Sequence, residues 1–186
     1  NLLRDAGCDV DGTRVRFPKG LARKLASTAP SQFTQFARNP LKSVEIGGDK
    51  IVFAPVYGPP FIRGLDGERR YAEIDDFINM VKLVYMLPGL HHSGGTLCEP
   101  VDLPVTKRHL EMIYAHIRYS DKPFMGSVTA PSRAEDSVEM ARLVFGDEFI
   151  KNNCVLVSLI NANSPMTWDD TMLGALKVYA RAGQAC

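Results

Sequence analysis

Cys154-Val155-Leu156-Val157-Ser158-Leu159-Ile160 is an almost wholly apolar run near the end of the chain. Strands of parallel sheets, which are buried on both faces, have this composition. Beyond a polar loop, Thr167 and Asp170 suit the start of a helix and Gly183 suits its end. The run therefore predicts an interior strand that a helix follows, as in α/β proteins.

The same alternation of strand, loop and helix precedes this run. Further strands are predicted at 51–57, 90–97 and 123–128. Apolar residues recur at helical spacing in 73–87, 106–119 and 132–145, with Thr106 expected to cap the second helix and Ser132 and Glu135 to form a capping box at the third. The strands recur at roughly 34 residues, the size of a βα unit. About four βα units predict an α/β fold with a parallel sheet, either doubly wound or part of a (β/α)8 barrel.

Residues 1–50 are predicted to form an accessory segment, and residues 51–186 a separate domain. Pro18 can open a short helix that holds Leu21 and Leu25, and Pro30 ends it. Residues 44–46 and 51–53 resemble two strands of a β-hairpin, because a glycine turn lies between them.

The composition indicates an ordinary globular protein but does not indicate an activity. The 186 residues are 45% hydrophobic and carry a net charge of +1, which gives no sign of a nucleic-acid or membrane partner. The cysteines Cys8, Cys98, Cys154 and Cys186 form no C-x-x-C pair, so the cytoplasm is the expected compartment. The chain lacks an initiator Met and stops where another strand should begin, so we expect it to be truncated at both ends.

Polar and aromatic residues are predicted at the carboxyl ends of the strands, where parallel α/β folds place their sites. They are Tyr57, His91, His92, Glu99, Asn161, Asn163 and Trp168. The histidines and the glutamate could be acid/base groups, the aromatic rings could hold a methylated ammonium, and the amides could bind its other end. Each group also has a structural interpretation: a hydrogen-bonded interior layer, a packed helix start, or turn and cap residues.

Motifs for other chemistries are missing from these segments. Gly94-Gly95 lacks the spacing of a phosphate-binding loop, and the sequence contains no G-x-S-x-G nucleophile elbow. The residues themselves therefore predict a polar and aromatic pocket without a nucleophile–base pair.

Several longer motifs, in order along nearly the whole chain, resemble the trimethylamine methyltransferase family. They are Val44-Glu45-Ile46-Gly47-Gly48, Phe53-Ala54-Pro55-Val56-Tyr57-Gly58-Pro59-Pro60, His91-His92-Ser93-Gly94-Gly95, Cys98-Glu99-Pro100, Arg118-Tyr119-Ser120-Asp121-Lys122-Pro123-Phe124-Met125 and Ser158-Leu159-Ile160-Asn161-Ala162-Asn163-Ser164-Pro165.

The resemblance implies a TIM barrel, of which this chain would hold the N-terminal half. It implies transfer of a methyl group from trimethylamine, or from a quaternary amine such as glycine betaine, to the reduced cobalt of a separate corrinoid protein. The chain itself would bind no cofactor or metal directly, and the full-length protein is expected to form homo-oligomers. Founding members carry pyrrolysine in the later half of the barrel, beyond Cys186. The fragment alone is expected to be inactive.

Two alternative functions stay open at the level of sequence. A zinc-dependent methyltransferase barrel would use His91 or His92 and Cys98 as metal ligands. A non-catalytic module would bind quaternary amines without transferring a methyl group. Zinc content would test the first alternative, and amine binding without methyl transfer would favour the second.

Overall fold

A computed structural model of the chain describes residues 2–165 and 167–186. The chain forms two compact units, Asn1–Phe33 and Thr34–Cys186. The first unit thus ends before residue 50, where the sequence predicted the division.

The first unit contains two short helices and a hairpin. Helix α1 is Leu2–Asp5, strands β1 (Asp9–Asp11) and β2 (Arg14–Arg16) pair antiparallel, and helix α2 is Leu21–Ala26. The predicted helix that holds Leu21 and Leu25 is confirmed. The hairpin was not predicted, because its strands carry charged residues rather than an apolar alternation.

Next along the chain, strand β3 (Gln32–Gln35) and strand β4 (Val44–Gly47) form a small sheet. A 3-10 helix, Pro40–Lys42, connects them. The predicted hairpin of 44–46 with 51–53 is wrong, because Val44–Gly47 pairs with β3. Residues 51–53 form no regular strand and lie instead beside a later segment, where the Phe53 carbonyl accepts a hydrogen bond from His91 N at 3.0 Å.

The rest of the second unit is mainly helical. In chain order its elements are β5 (Phe61–Arg63), β6 (Arg69–Tyr71), α3 (Ile74–Met86), α4 (Arg108–Tyr119), β7 (Phe124–Met125), α5 (Pro131–Phe145), α6 (Asp147–Asn152), β8 (Leu156–Val157) and α7 (Asp170–Arg181). The predicted long helices are confirmed within a few residues. The predicted caps of α4 and α5 are wrong: Lys107 and Ala130 precede these helices, and Pro131 occupies the first turn of α5. Proline suits that position, since the first N–H groups of a helix have no partner within it.

Regular strands are much shorter than predicted. Residues 51–57 and 90–97 form no strand, and β7 and β8 have two residues each. Pro55 has no N–H to donate, and Gly94 has a φ of 88°, so neither residue continues a regular ladder.

Backbone hydrogen bonds nevertheless place five segments side by side in chain order. Ser93 N donates to the Pro123 carbonyl at 2.8 Å, and Met125 N donates to the Gly94 carbonyl at 2.9 Å. Strands β7 and β8 pair in parallel, and Val157 forms a parallel bridge with Ala185. Segments near residues 53, 93, 124, 156 and 185 are therefore consecutive neighbours, and the bridged pairs run parallel.

Two apolar cores lie beside these segments. One combines β7 and β8 with α5 and α7, around Phe124, Leu156 and Tyr179. The other combines α3 and α4 with Leu97 and Cys98. Within the described part of the chain, every helix is too short or too polar to cross a lipid bilayer.

Candidate functional site

The neighbouring segments run in one direction, so each has an amino end and a carboxyl end. Phe53 lies beside His91 where the first two segments begin. Further along, Gly58 N donates to the Thr96 carbonyl at 2.6 Å, and Glu99 N donates to the Pro59 carbonyl at 3.0 Å. Tyr57 and Glu99 therefore lie at the carboxyl end, and His91 lies at the amino end.

Tyr57 lies directly over Gly95 at the carboxyl end. A Cβ added to Gly95 would lie 2.6 Å from Tyr57 Cε2 and 3.1 Å from Met125 Cβ. The absence of a side chain at Gly95 thus leaves room for the tyrosine ring. Tyr57 is 42% exposed, so its aromatic ring remains accessible.

A second tyrosine approaches the next segment in the same way. A Cβ on Gly126 would overlap the Tyr179 hydroxyl. Tyr179 is fully buried and donates to the Ser127 carbonyl at 2.6 Å. Burial raises the pKa of Tyr179 above its ordinary value, so its hydroxyl stays protonated and acts as a fixed donor.

His92 lies in the interior with both ring nitrogens engaged. Gly94 N donates to His92 Nδ1 at 2.8 Å, so the hydrogen is on Nε2, which lies 3.1 Å from Gln35 Oε1. The Gln35 amide donates in turn to the carbonyls of Phe124 and Val155. Burial lowers the pKa of His92 to about 3, with a smaller contribution from His116. His92 is therefore a neutral member of a hydrogen-bonded interior layer, one of the two interpretations open from sequence.

His91 occupies a different surface. It is exposed, and its Nδ1 accepts a hydrogen bond from Phe53 N at 3.1 Å. It lines a cavity of about 410 Å³ at the amino end, together with Lys42, Tyr85 and Lys122. Lys122 Nζ donates to three carbonyls, those of Val84, Leu87 and Leu90, and so serves the end of α3 rather than a ligand.

Glu99 is held by an ion pair at the carboxyl end. Arg108, in the first turn of α4, donates from Nη1 to Glu99 Oε1 at 2.5 Å and from Nη2 to the Leu103 carbonyl at 3.1 Å. The carboxylate is 40% exposed. Its catalytic role stays a prediction, and the geometry shows that it anchors α4 to the loop before it.

Asn161, Asn163 and Trp168 lie in the loop that leads from β8 to α7, also at the carboxyl end. All three are exposed. Asn163 and Thr167 exchange two backbone hydrogen bonds, at 2.9 and 2.6 Å, so these two residues lie side by side in the loop. Asp169 then caps α7, since its Oδ1 accepts from Met172 N at 2.7 Å.

The expectation that all seven predicted residues share the carboxyl end is wrong for His91 and His92. The segment that contains them begins at His91, so the two histidines belong to its start and interior rather than to the loop after it. The other five residues lie at or beyond the carboxyl ends. Their substrate-binding and catalytic roles stay predictions.

Sequence reasoning missed two buried histidines on α4, His109 and His116. Both share one helix face with Ile113, at spacings of four and three residues, and that spacing was the available signal. His116 Nε2 donates to the Gly95 carbonyl at 2.8 Å, and Ser93 Oγ lies 2.7 Å from Nδ1. Burial lowers the pKa of His116 to about 4.

The zinc alternative has no support in this geometry. Cys98 is fully buried in the apolar core between α3 and α4, and burial raises its pKa to about 12. His91 lies at the amino end of the segments and His92 is hydrogen-bonded on both sides. Among residues 2–165 and 167–186, no group of three or more His, Cys, Asp or Glu side chains could hold a metal ion.

Comparison with known proteins identifies the family. A family model described as trimethylamine methyltransferase matches residues 1–186. The chain is 49% identical over 185 residues to the glycine betaine methyltransferase of Desulfitobacterium hafniense (strain Y51), covering 99% of this chain and 39% of that protein. It is 26% identical over 192 residues to the proline betaine:corrinoid methyltransferase of Eubacterium limosum, covering 98% of this chain and 39% of that protein.

The chain thus spans about two fifths of the curated relatives it matches. The family model covers every residue, including the segments that form both ends of the parallel array. The resemblance that the sequence motifs indicated is confirmed, and this chain belongs to the trimethylamine methyltransferase family.

Proposed function

We propose that the whole protein transfers a methyl group from a quaternary amine of the betaine class to the cobalt of a corrinoid carried by a partner protein. The main support is the 49% identity to a glycine betaine methyltransferase over 99% of this chain. The corrinoid acceptor is supported by the name of the second relative, a proline betaine:corrinoid methyltransferase.

The carboxyl-end residues have the chemistry that a betaine requires. A quaternary ammonium has no N–H to donate, so aromatic faces bind it, at about 0.5–2 kcal/mol for each ring. Tyr57 offers such a face over Gly95, and Trp168 offers a second one in the loop after β8. Asn161 and Asn163, in the same loop, carry amide donors that can bind the carboxylate of a betaine.

The reaction needs no nucleophile from this chain. Reduced cobalt supplies the electron pair that attacks the methyl carbon, so the protein has to bind and orient the N–CH₃ bond. The buried side chains of His92, His116 and Cys98 agree with this, because none of the three is a free nucleophile or base. His92 and His116 are neutral and hydrogen-bonded at both nitrogens, and the Cys98 thiol is protonated and buried.

We also propose that the parallel segments belong to a (β/α)8 barrel. Five segments lie side by side in chain order without a reversal. A doubly wound sheet would reverse its strand order at a switch point, whereas a barrel adds each strand beside the previous one. The candidate residues at the carboxyl ends would then line the mouth of the barrel.

A substrate panel tests the proposed function. The whole protein is mixed with its corrinoid partner, reduced to cobalt(I), and with glycine betaine, proline betaine or trimethylamine. We expect methyl-cobalt absorbance with one of the two betaines, at a rate well above that with trimethylamine. A preference for trimethylamine would overturn the betaine assignment. Tight betaine binding without methyl-cobalt would overturn the enzymatic proposal in favour of the non-catalytic module.

A further inference from the structure

His109 is a buried histidine in which only one of the two ring nitrogens has a hydrogen-bond partner among the described residues. The residue is 4% exposed and lies in the first turn of α4. Its Nε2 lies 2.7 Å from Oδ2 of Asp136 on α5. A carboxylate accepts hydrogen bonds, so Nε2 carries a hydrogen, and in the neutral ring Nδ1 presents a lone pair. Within the described part of the chain, Nδ1 has no hydrogen-bond partner although it is buried.

A buried lone pair without a donor is costly, by about 1–3 kcal/mol, so such atoms in native proteins usually bind an ordered water. The His109 ring lines a small cavity of about 20 Å³ at the carboxyl end. A cavity of about 10–15 Å³ holds one water molecule. The cavity beside His109 is therefore large enough for a water molecule and too small for an amine substrate.

The other walls of the cavity supply the remaining partners. The lining includes three residues that carry hydroxyl groups, Tyr57, Thr96 and Ser127, and two glycines, Gly95 and Gly126. A buried water typically makes about three hydrogen bonds, which these groups can provide. Tyr57 is also one of the two aromatic residues proposed to bind the ammonium, so the cavity adjoins the proposed amine site.

We propose that this cavity is a binding site for one water molecule, which donates a hydrogen bond to His109 Nδ1 and positions Tyr57. His109 and Asp136 are then positioning residues of the amine site: Asp136 fixes the ring of His109, and His109 fixes the water. The positioning role rests on the proposed function, whereas the water site does not.

Two substitutions separate the two ring nitrogens. His109→Gln places its amide near the position of Nε2, so it can still donate to Asp136 but offers no polar atom at Nδ1. His109→Asn places its amide near Nδ1, so it can still bind the water but no longer reaches Asp136. A purely structural role would make the melting temperature and the KM change together across this pair.

We expect opposite rank orders for the two measurements in the whole enzyme. His109→Gln should raise the KM for betaine more, by about tenfold, the effect of one buried hydrogen bond. His109→Asn should lower the melting temperature more, because it loses the carboxylate contact. A KM and a melting temperature that change in the same order in both variants would overturn the positioning role.

A crystal structure of the whole protein tests the site itself, independently of activity. We expect a water within about 2.7–3.2 Å of His109 Nδ1 in the wild type and in His109→Asn, but not in His109→Gln. A direct bond from the Thr96 or Tyr57 hydroxyl to Nδ1, with no water in the cavity, would overturn the site. If the wild type shows the water but transfers no methyl group, the proposed function fails and the water site stands.

Discussion

Two glycines at the carboxyl ends of neighbouring segments determine how closely tyrosines approach the backbone. Gly95 admits the ring of Tyr57 and Gly126 admits the hydroxyl of Tyr179. The two contacts differ in how easily they can relax, because Tyr57 is 42% exposed and Tyr179 is fully buried. A side chain added at Gly95 should therefore displace Tyr57, whereas one added at Gly126 should destabilise the core around Tyr179.

Gly126→Ala should destabilise the protein by about 1–3 kcal/mol, the usual effect of an added methyl in a packed core. The new Cβ would meet the Tyr179 hydroxyl, which is held by the Ser127 carbonyl. Urea unfolding of the whole protein measures the loss. Gly89→Ala is the matched control, since nothing lies within 4 Å of its Cβ, and it should change stability by no more than about 0.5 kcal/mol. Equal effects of the two substitutions would contradict the prediction.

Tyr57→Ala and Trp168→Ala should each weaken amine binding by about 1–2 kcal/mol in the whole enzyme, the size of one desolvated cation–π contact. Calorimetric titration with glycine betaine measures the change. Tyr114→Ala is a suitable control, because Tyr114 is an exposed aromatic residue on α4 outside the candidate site. An unchanged dissociation constant for either site variant would show that its ring packs without binding the ammonium.

His92 and His116 should make the fold sensitive to mild acid. Their pKa values are lowered by burial to about 3 and about 4, from the ordinary 6.5. Above pH 6.5 both are neutral whether folded or unfolded. As the pH falls below 6.5, the two histidines become protonated in the unfolded chain but stay neutral in the folded chain. The free energy of unfolding therefore decreases. At pH 5 the loss is about 2 kcal/mol for each histidine, at about 1.4 kcal/mol per pH unit.

The free energy of unfolding of the whole protein, measured between pH 7 and pH 5, checks this expectation. Carboxyl groups with lowered pKa values, such as Asp76 beside Arg70, lose their contribution only below about pH 3.8, outside this window. In His116→Gln, which keeps a donor for the Gly95 carbonyl, the decrease should shrink by about half. A decrease of the same size in the variant would rule out His116 as a source.

Side chains from three parts of the chain fix the start of helix α3. Glu73 and Asp76 form a reciprocal capping box, and Arg70 holds Asp76 through two hydrogen bonds of 2.7 and 2.8 Å. The Ile74 N–H is satisfied by Asp102, from the loop before α4. These contacts tie the hairpin of β5 and β6, helix α3 and the loop before α4 together at the carboxyl end.

Asp76→Asn should destabilise the protein by about 1–2 kcal/mol, because the cap weakens and the ion pair with Arg70 is lost. Thermal unfolding of the whole protein measures the effect. Asp75→Asn changes the same charge one residue earlier, at an exposed position, and should have an effect below about 0.5 kcal/mol. If the two variants melt alike, the capping interaction does not stabilise the helix.

Helices were easier to predict than strands for a physical reason. The apolar stripes at 74–85 and 110–117 repeat over several turns, so their periodicity is a strong local signal. The two regular strands of the parallel array, β7 and β8, are two residues long, and their positions depend on hydrogen bonds to distant segments. The β5–β6 hairpin was missed because its strands, Phe61–Arg63 and Arg69–Tyr71, are short and rich in arginine.

Across the chain, the sequence predicted the order of the strands and helices but only part of the candidate site. Tyr57, Glu99, Asn161, Asn163 and Trp168 follow the segment ends, as loop composition indicated. His91 and His92 do not, because the start of a segment without regular strand structure cannot be located from periodicity. His109 and Asp136 come from two different helices, and only folding brings them together.

The proposed barrel makes a definite prediction about the whole protein. The segment at 184–186 already lies beside β8, with Ala185 N donating to the Leu156 carbonyl at 3.2 Å. In an experimental structure of the whole protein we expect the next strand to pair with 184–186 on its other side, and eight strands to close. An open sheet with a reversed strand order would contradict the barrel.

The proposed function is the movement of a methyl group from a betaine to a corrinoid. The most direct measurement follows betaine with ¹³C-labelled N-methyl groups through one turnover with the whole protein and its reduced corrinoid partner. We predict that the label appears on cobalt and that the amine lacking one methyl group forms in equal amount. Unlabelled corrinoid beside consumed betaine, or betaine that stays intact with active partner present, would rule out this methyl transfer.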